Sequence, residues 1–211
     1  MRDEESQVDR SLDAMNRLAH RAADAGVVAR PVSFLSDNVG RDLADIAATQ
    51  QCDAILLGFH RASLDSHVVR ALVHRVFKLA PCDVAVFVDR RGDGVRAESN
   101  GAVLAVITSD ADDGAMTRIA HRLAESLETN VKPLRLPGGG LSELISESET
   151  AAAAVVAVGQ VLAEGDDFDR TASAVAESAE CPVLVVRPST VHVSIRPGLG
   201  SVKTRAHARH A

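Results

Sequence analysis

The chain reads Cys52-Asp-Ala-Ile-Leu-Leu-Gly58, then an amphipathic stretch, then Leu79-Ala-Pro-Cys82-Asp-Val-Ala-Val-Phe-Val-Asp89. Such an aliphatic run, helical stretch and second aliphatic run predict a strand–helix–strand unit, and these units form parallel sheets. An imperfect copy follows, with first run Ala153-Ala-Val-Val-Ala-Val-Gly159 and second run Ala179-Glu-Cys181-Pro-Val-Leu-Val-Val-Arg187. Gly58 lies 24 positions before Cys82, and Gly159 lies 22 positions before Cys181. The repeat predicts a duplicated α/β architecture.

The duplication divides the chain into two predicted units. The first covers residues 1–90 and the second covers residues 102–188. Residues 91–101 are polar and contain glycine, so they read as a linker, and the aperiodic residues 189–211 are expected to be a disordered basic tail. The first unit opens on a helix and lacks a strand–helix–strand segment equivalent to 102–136. We therefore expect the first unit to be truncated at its N-terminus.

Hydrophobic periodicity places the elements of both units. An edge strand is predicted at 28–34, because Pro31 removes a backbone donor from the alternating run. The other predicted strands are 53–58, 83–89, 102–107, 131–136, 153–158 and 182–187. The predicted helices are 6–25, a helix that begins after Asn38, and 64–79, 112–128, 141–149 and 166–179.

Composition excludes several classes of function. The chain has a net charge of −6, five Phe, no Trp and no Tyr. An acidic chain with few aromatic side chains argues against nucleic acid as a partner. Three separated cysteines suit a reducing compartment, and Cys82 and Cys181 are expected to pack in the core. The acidic N-terminus does not resemble a signal peptide, and no apolar run is long enough to cross a bilayer, so the sequence predicts a cytoplasmic protein.

The two copies resemble the universal stress protein family. The family has a strand of the form Ala-Asp-(apolar)-Gly, then a helix, then Ala-Pro-Cys-Pro-Val-(apolar), and the stretches ending at Gly58, Asp89 and Arg187 are similar. This resemblance implies an α/β fold of two Rossmann-like units of the adenine nucleotide alpha hydrolase kind. More narrowly, Leu56–Arg61 and Asp83–Arg90 resemble the tandem, cytosolic C-terminal region of bacterial monovalent cation:proton antiporters.

The resemblance also implies a set of ligand-binding candidates. The ATP-binding branch of the family carries Gly-x-x-Gly, nine residues and Gly-Ser/Thr after its fourth strand. Gly58 matches the first glycine, while Arg61 replaces the second and has His60 beside it. Thr108 stands where the family has an acidic residue, and Gly159 is the matching glycine of the second unit. Because neither copy completes the pattern, no cofactor is assigned, and ATP or another adenine nucleotide stays an alternative.

These observations favour a non-catalytic regulatory module, the cytosolic part of a monovalent cation:proton antiporter. Its expected partners are a missing N-terminal or membrane region, or a second copy joined through the last strands. These strands, 83–89 and 182–187, are candidates for edge pairing either between the two halves of one chain or between two copies. A free-standing nucleotide-binding stress protein is the first alternative, and an enzyme of the same α/β layout is the second. The sequence predicts no catalytic and no metal-ligating residue.

Overall fold

The computed structural model describes most of the chain before residue 190. The described residues are 2–32, 34, 36–60, 67–92, 94–95, 101–108, 113–136, 141–158 and 170–189. They form two compact units, Met1–Asn38 and Val39–Ala211. The predicted division of the chain into two repeated units joined by a linker at 91–101 stays a prediction.

The first compact unit consists of helix α1 (Arg2–Asp24) and the segment after it. The helix ends as predicted at Gly26, whose φ is +72°. The amide of Gly26 donates to the Ala23 carbonyl at 2.9 Å and that of Val27 to the Ala22 carbonyl at 2.7 Å. This pair of bonds is the Schellman motif, which glycine favours because it adopts positive φ without strain.

The predicted strand 28–34 is wrong. The described residues between α1 and Asn38 form no strand, and Val28 is 100% exposed. Alternation of apolar side chains stabilises a strand only when a neighbouring strand takes up its backbone hydrogen bonds.

The second compact unit contains the remaining elements, and they alternate as the sequence predicts. Its helices are α2 (Val39–Thr49), α3 (His67–Leu79), α4 (Asp113–Ser126), α5 (Ser142–Ser148) and α6 (Arg170–Ser178). Its strands are β1 (Ala54–His60), β2 (Asp83–Asp89), β3 (Val103–Ile107), β4 (Val131–Arg135), β5 (Ala153–Ala157) and β6 (Val183–Arg187).

All six strands lie in one sheet, in the order β1-β2-β6-β5-β3-β4. Every neighbouring pair is parallel except β2 and β6, which are antiparallel. The predicted α/β class with mainly parallel strands is therefore confirmed. The last strands pair with each other within the chain, so both edges of β2 and both edges of β6 are occupied. A homodimer through these strands, the other predicted arrangement, finds no open edge on either one.

The pairing register relates the two predicted copies by a shift of 99 residues. Ile55 lies opposite Val84 in the first copy, and Ala154 lies opposite Val183 in the second. Across the antiparallel seam, Val84 pairs with Arg187, and Val88 pairs with Val183. Those two seam pairs exchange under the same shift, so the copies are related by an approximate two-fold axis. It passes through the central seam pair, Val86 and Val185.

Helices cover the two faces of the sheet in different ways. On one face, α3 and α6 pack over the seam, and Val76, Val86, Val156 and Val185 are fully buried in that core. On the other face, α4 packs over β3 and β5 and contributes Met116, Ala120 and Ala124 to a second core. Aliphatic side chains on both faces explain why the strands read as continuous apolar runs rather than alternating ones.

Candidate functional site

Two buried charges mark the seam between the copies. Arg187, at the end of β6, donates from Nη2 to the carbonyls of Ala80 at 2.9 Å and Cys82 at 3.2 Å. These carbonyls lie where α3 ends and β2 is about to begin. Burial lowers the pKa of the Arg187 guanidinium, yet an arginine remains charged at neutral pH. Its Nε is buried without a hydrogen-bond partner, so the guanidinium is only partly satisfied.

Asp89 stands at the opposite end of the seam. Its carboxylate accepts hydrogen bonds from the amides of Arg91 at 3.1 Å, Gly92 at 2.9 Å and Gly94 at 2.7 Å. Gly92 and Gly94 have φ of +77° and +73°, which lets the loop curl around the carboxylate. With both oxygens engaged, Asp89 fixes the start of the predicted linker and is not a free general acid or base.

The linker start is also tied to the second copy. Arg90 donates to the Glu177 carbonyl in the last turn of α6, and Arg91 pairs with the Glu180 carboxylate just beyond that helix. A cation near the carboxyl end of a helix is favourable, because the last carbonyls carry partial negative charge. Each last strand thus ends in side chains that hold the end of the other copy's last helix.

The buried thiols have the properties of packing residues. Burial raises the pKa of the Cys181 thiol to about 11. Burial is also the main cause that raises the pKa of Cys82, and the thiol of Cys52 adds to it. A thiol with a raised pKa is a poor nucleophile at neutral pH, because the thiolate is the reactive form. This agrees with the core-packing interpretation of both residues.

The candidates of the first copy, Gly58 and His60, lie within and at the end of β1. The predicted strand ends at Gly58, whereas β1 continues two residues further, to His60. It has no positive φ, and a Cβ built there meets nothing within 4 Å. Gly58 therefore does not use the positive φ that only glycine adopts readily. The His60 side chain and the whole of Arg61 lie outside the described residues.

The candidates of the second copy follow two neighbouring strands in the sequence. Thr108 directly follows β3 and is half-buried, and Gly159 comes two residues after β5. β3 and β5 are adjacent and parallel, and their chains continue to strands on opposite sides. This arrangement is a topological switch point, the place where open α/β sheets leave a crevice for ligands. Gly159 itself lies outside the described residues.

The register changes how the two glycines compare. With a shift of 99 residues, Gly58 corresponds to Ala157, and Gly159 corresponds to His60. The sequence comparison that equated Gly58 with Gly159 is therefore displaced by two positions. The antiparallel seam also directs the carboxyl ends of β1 and of β3 to opposite ends of the sheet. Of the described candidates, Gly58 lies in β1 and Thr108 follows β3, so these two belong to separate places in the sheet.

Sequence reasoning missed Asp89 and Arg187 as structural residues. The available signal is that each last aliphatic run ends on a charge, of opposite sign in the two copies. Within the described part of the chain, no three His, Cys, Asp or Glu side chains are grouped to hold a metal ion. Among the same residues, no helix has the length and apolar character needed to cross a membrane.

Comparison with known proteins concerns both the resemblance to cation:proton antiporters and the resemblance to universal stress proteins. Residues 1–92 match the family model described as a plant cation/H(+) antiporter domain. A universal stress protein from Archaeoglobus fulgidus has a similar structure, with a TM-score of 0.51 and 15% identity over 86% of this chain and 79% of that chain. No curated protein is significantly similar in sequence. The chain thus has a universal-stress-type fold, and its first 92 residues are similar to an antiporter domain.

Proposed function

We propose that this chain is a non-catalytic regulatory module and acts as the cytosolic part of a monovalent cation:proton antiporter. The observation that carries the proposal is the match of residues 1–92 to the antiporter domain. The stress-protein fold supports it, because the two resemblances together describe one known type of soluble region. The partner implied is the membrane region of a transporter, on its cytosolic side.

The non-catalytic part of the proposal is supported by the described buried polar groups. Asp89 is held by three backbone amides, and Arg187 by backbone carbonyls. The hydroxyl of Ser148 donates to the Ile145 carbonyl and accepts from the Glu180 amide, both at 2.9 Å. Groups engaged in this way stabilise the fold and do not offer a poised acid, base or nucleophile.

Localisation and size provide the first test. An antibody against the chain is used to probe membrane and soluble fractions of the native cells by immunoblot. We expect a membrane-bound species much larger than 22.2 kDa, or a 22.2 kDa species that co-purifies with a polytopic membrane protein. Proton-driven K⁺ or Na⁺ transport in inverted vesicles then measures regulation, with and without this region. A soluble 22.2 kDa protein without a membrane partner contradicts the proposal.

Nucleotide binding is the second candidate function, and one observation favours it. Thr108 and the end of β5 lie side by side at a switch point, where a nucleotide would be held by strand-end loops. Isothermal titration with ATP and AMP at millimolar concentration tests this alternative. Binding that Thr108→Arg abolishes, in a variant with an unchanged melting temperature, would support the nucleotide-binding protein. No heat of binding and no thermal stabilisation removes it.

A further inference from the structure

Two of the three cysteines lie at the start of neighbouring strands. Cys52 comes two residues before β1, and Cys82 comes directly before β2. The two strands are parallel, and Ala54 lies opposite Asp83. Continued by one residue, this register sets Cys82 beside Asp53, the residue that follows Cys52. At a strand separation of about 4.8 Å and a rise of about 3.3 Å per residue, the register puts the Cα atoms of the two cysteines about 6 Å apart.

That separation suits a disulfide. The Cα atoms of bonded cysteines are usually about 4.4–6.8 Å apart. Neither thiol is bonded in the structure, where Cys52 is exposed and Cys82 is buried. The Cys52 thiol contributes to the raised pKa of Cys82, which agrees with two sulfur atoms that lie near each other. The pair therefore combines one accessible thiol with one enclosed thiol.

The end of α2 holds the backbone of Cys52 in place. The amide of Gln51 donates to the Ala48 carbonyl at 3.3 Å, and that of Cys52 donates to the Ala47 carbonyl at 2.9 Å. Gln51 has a φ of +52°, so these bonds form a Schellman motif with glutamine at the left-handed position. Residues other than glycine adopt this conformation infrequently. The motif ends the helix so that Cys52 enters the sheet next to the start of β2.

Hydrogen bonds at the seam hold Cys82. Its carbonyl accepts from Nη2 of Arg187 at 3.2 Å, and the carboxylate of the neighbouring Asp83 accepts from the Ser189 amide at 2.6 Å. Burial raises the pKa of the Cys82 thiol more than the Arg187 charge lowers it. Because the thiolate is the nucleophile, Cys82 reacts poorly with dissolved reagents. A sulfur atom held beside it is a better partner, since proximity replaces a bimolecular encounter.

The second copy offers a natural comparison. Under the shift of 99 residues, Cys82 corresponds to Cys181 and Cys52 corresponds to Ala151. Both buried cysteines occupy the same place before a last strand, but only Cys82 has a second thiol at the neighbouring strand start. Packing in the core accounts for Cys181 and for the reduced form of Cys82. It does not account for the exposed thiol of Cys52.

We propose that Cys52 and Cys82 form a redox-sensitive pair, which a hydroperoxide converts into an intramolecular disulfide. The Cys52 thiolate attacks one oxygen of the peroxide, so the O–O bond breaks, Cys52 becomes a sulfenic acid and the peroxide is reduced to an alcohol or to water. Cys82 then attacks the Cys52 sulfur, so the S–S bond forms, the S–O bond breaks, and hydroxide leaves as water with the Cys82 proton. Glutathione or a dithiol restores both thiols by exchange. Reversible disulfides of this kind are the ones that occur in reducing compartments.

The disulfide would attach the outer strand of the first copy to the seam. The loop that it closes runs from Cys52 to Cys82 and contains β1 and α3. Among the described strands, β1 pairs with β2 alone, so a covalent bond at its start restrains it where hydrogen bonds hold one edge only. Closing the loop also restricts the unfolded chain, so oxidation should stabilise the fold. The inference goes beyond the proposed function and does not depend on it.

Peroxide treatment of the complete 211-residue chain tests the pair. The reduced protein is freed of reductant, oxidised at low protein concentration and denatured, and the remaining thiols are alkylated before peptide mapping by mass spectrometry. We expect a disulfide between Cys52 and Cys82, with a mass loss of about 2 Da that dithiothreitol reverses. The melting temperature of the oxidised chain should be higher by about 5 °C or more. Cys181 in the same sample is the control and should remain a thiol.

Three variants separate the roles of the two thiols. Cys52→Ser should slow the loss of the Cys82 thiol by about tenfold or more, because peroxide reaches Cys82 only through Cys52. Cys82→Ala, which buries no hydroxyl, should leave Cys52 as a sulfenic or sulfinic acid without an intramolecular disulfide. Cys52→Ser combined with Ala151→Cys moves the pair to the second copy, so the introduced thiol should bond to Cys181. A disulfide of this double variant that still involves Cys82 contradicts the register argument.

Three outcomes overturn the proposal. A sulfinic acid at Cys52 beside an intact Cys82 thiol shows that the two sulfur atoms do not meet. A disulfide between the Cys52 residues of two chains, seen as a dimer on a non-reducing gel, assigns Cys52 to an intermolecular bond. Equal rates of Cys82 oxidation in the parent chain and in Cys52→Ser show that the buried thiol reacts without its neighbour.

Discussion

The two-fold axis makes Val155 and Leu56 equivalent positions, but their burial differs. We therefore expect truncation of the two side chains to lower the unfolding free energy by very different amounts. Val155→Ala removes two carbons from a fully buried site. At about 0.8 kcal/mol per buried CH₂, the transfer free energy is about 1.6 kcal/mol, and the cavity left behind raises the loss of unfolding free energy to about 2.5 kcal/mol. Leu56→Ala removes three carbons, but the side chain is already 67% exposed, so the expected loss is about 0.8 kcal/mol.

Urea unfolding followed by circular dichroism measures both losses. The two variants should have the same m-value as the parent chain, because the surface exposed on unfolding is nearly unchanged. For a chain of this size, 1 kcal/mol shifts the melting temperature by about 2–4 °C, so we expect about 5–10 °C for Val155→Ala and about 2 °C for Leu56→Ala. Equal losses would mean that the β1 face is covered like the β5 face, and would refute the burial difference.

The other predictions concern the seam, a close backbone contact and a buried thiol. Arg187→Ala should lower the unfolding free energy by about 3 kcal/mol, and Arg187→Lys should restore less than half of it, because one ammonium replaces Nη2, which reaches the Ala80 and Cys82 carbonyls, and Nη1, which reaches that of Pro188; an unchanged stability of Arg187→Ala contradicts this role. Gly101→Ala should cost roughly 3 kcal/mol, since its Cβ would lie 2.0 Å from the Thr150 carbonyl oxygen, whereas Gly114→Ala, whose Cβ meets only a side chain at 3.7 Å, should leave urea stability unchanged or slightly higher. The folded-state pKa of Cys181, about 11, exceeds that of the unfolded thiol. The stabilisation that the protonated Cys181 thiol gives the folded state is therefore constant below about pH 8.5, and roughly 3 kcal/mol of it is lost as the pH rises toward 11. Cys181→Ala should remove that part of the alkaline loss in urea titrations at pH 8 and 10.5, and an identical loss in both proteins would contradict the burial argument.

Local patterns were sufficient to predict most of the sheet. The strand 83–89 begins and ends where predicted, and the other five strands of the sheet differ from their predicted bounds by one or two residues. Strands β3, β5 and β6 are largely buried on both faces, so their sequences are almost wholly aliphatic and stand out from the helices between them. The Gly26 helix end was also predictable, because a left-handed residue after a helix favours glycine.

The errors have one physical source, which is that a strand depends on its neighbours. The pattern of 28–34 is that of a strand and resembles β4 in sequence, yet the described residues of this stretch form no strand. β4 is a strand because β3 lies beside it. Equating Gly58 with Gly159 failed for a related reason, because register is set by pairing across the sheet and not by the residue that ends each run.

The seam decides what the candidate ligand residues can do together. Gly58 and Thr108 are four strands apart, which is roughly 19 Å at about 4.8 Å per strand, and they stand at opposite ends of the sheet. A single small ligand cannot bridge them, so any nucleotide held in the family manner contacts one copy only. The second copy has the switch-point arrangement beside Thr108, whereas the described residues of the first copy include no strand on the outer side of β1. The two copies therefore differ where a family ligand would bind, because β5 has β3 beside it whereas β1 pairs only with β2 among the described strands.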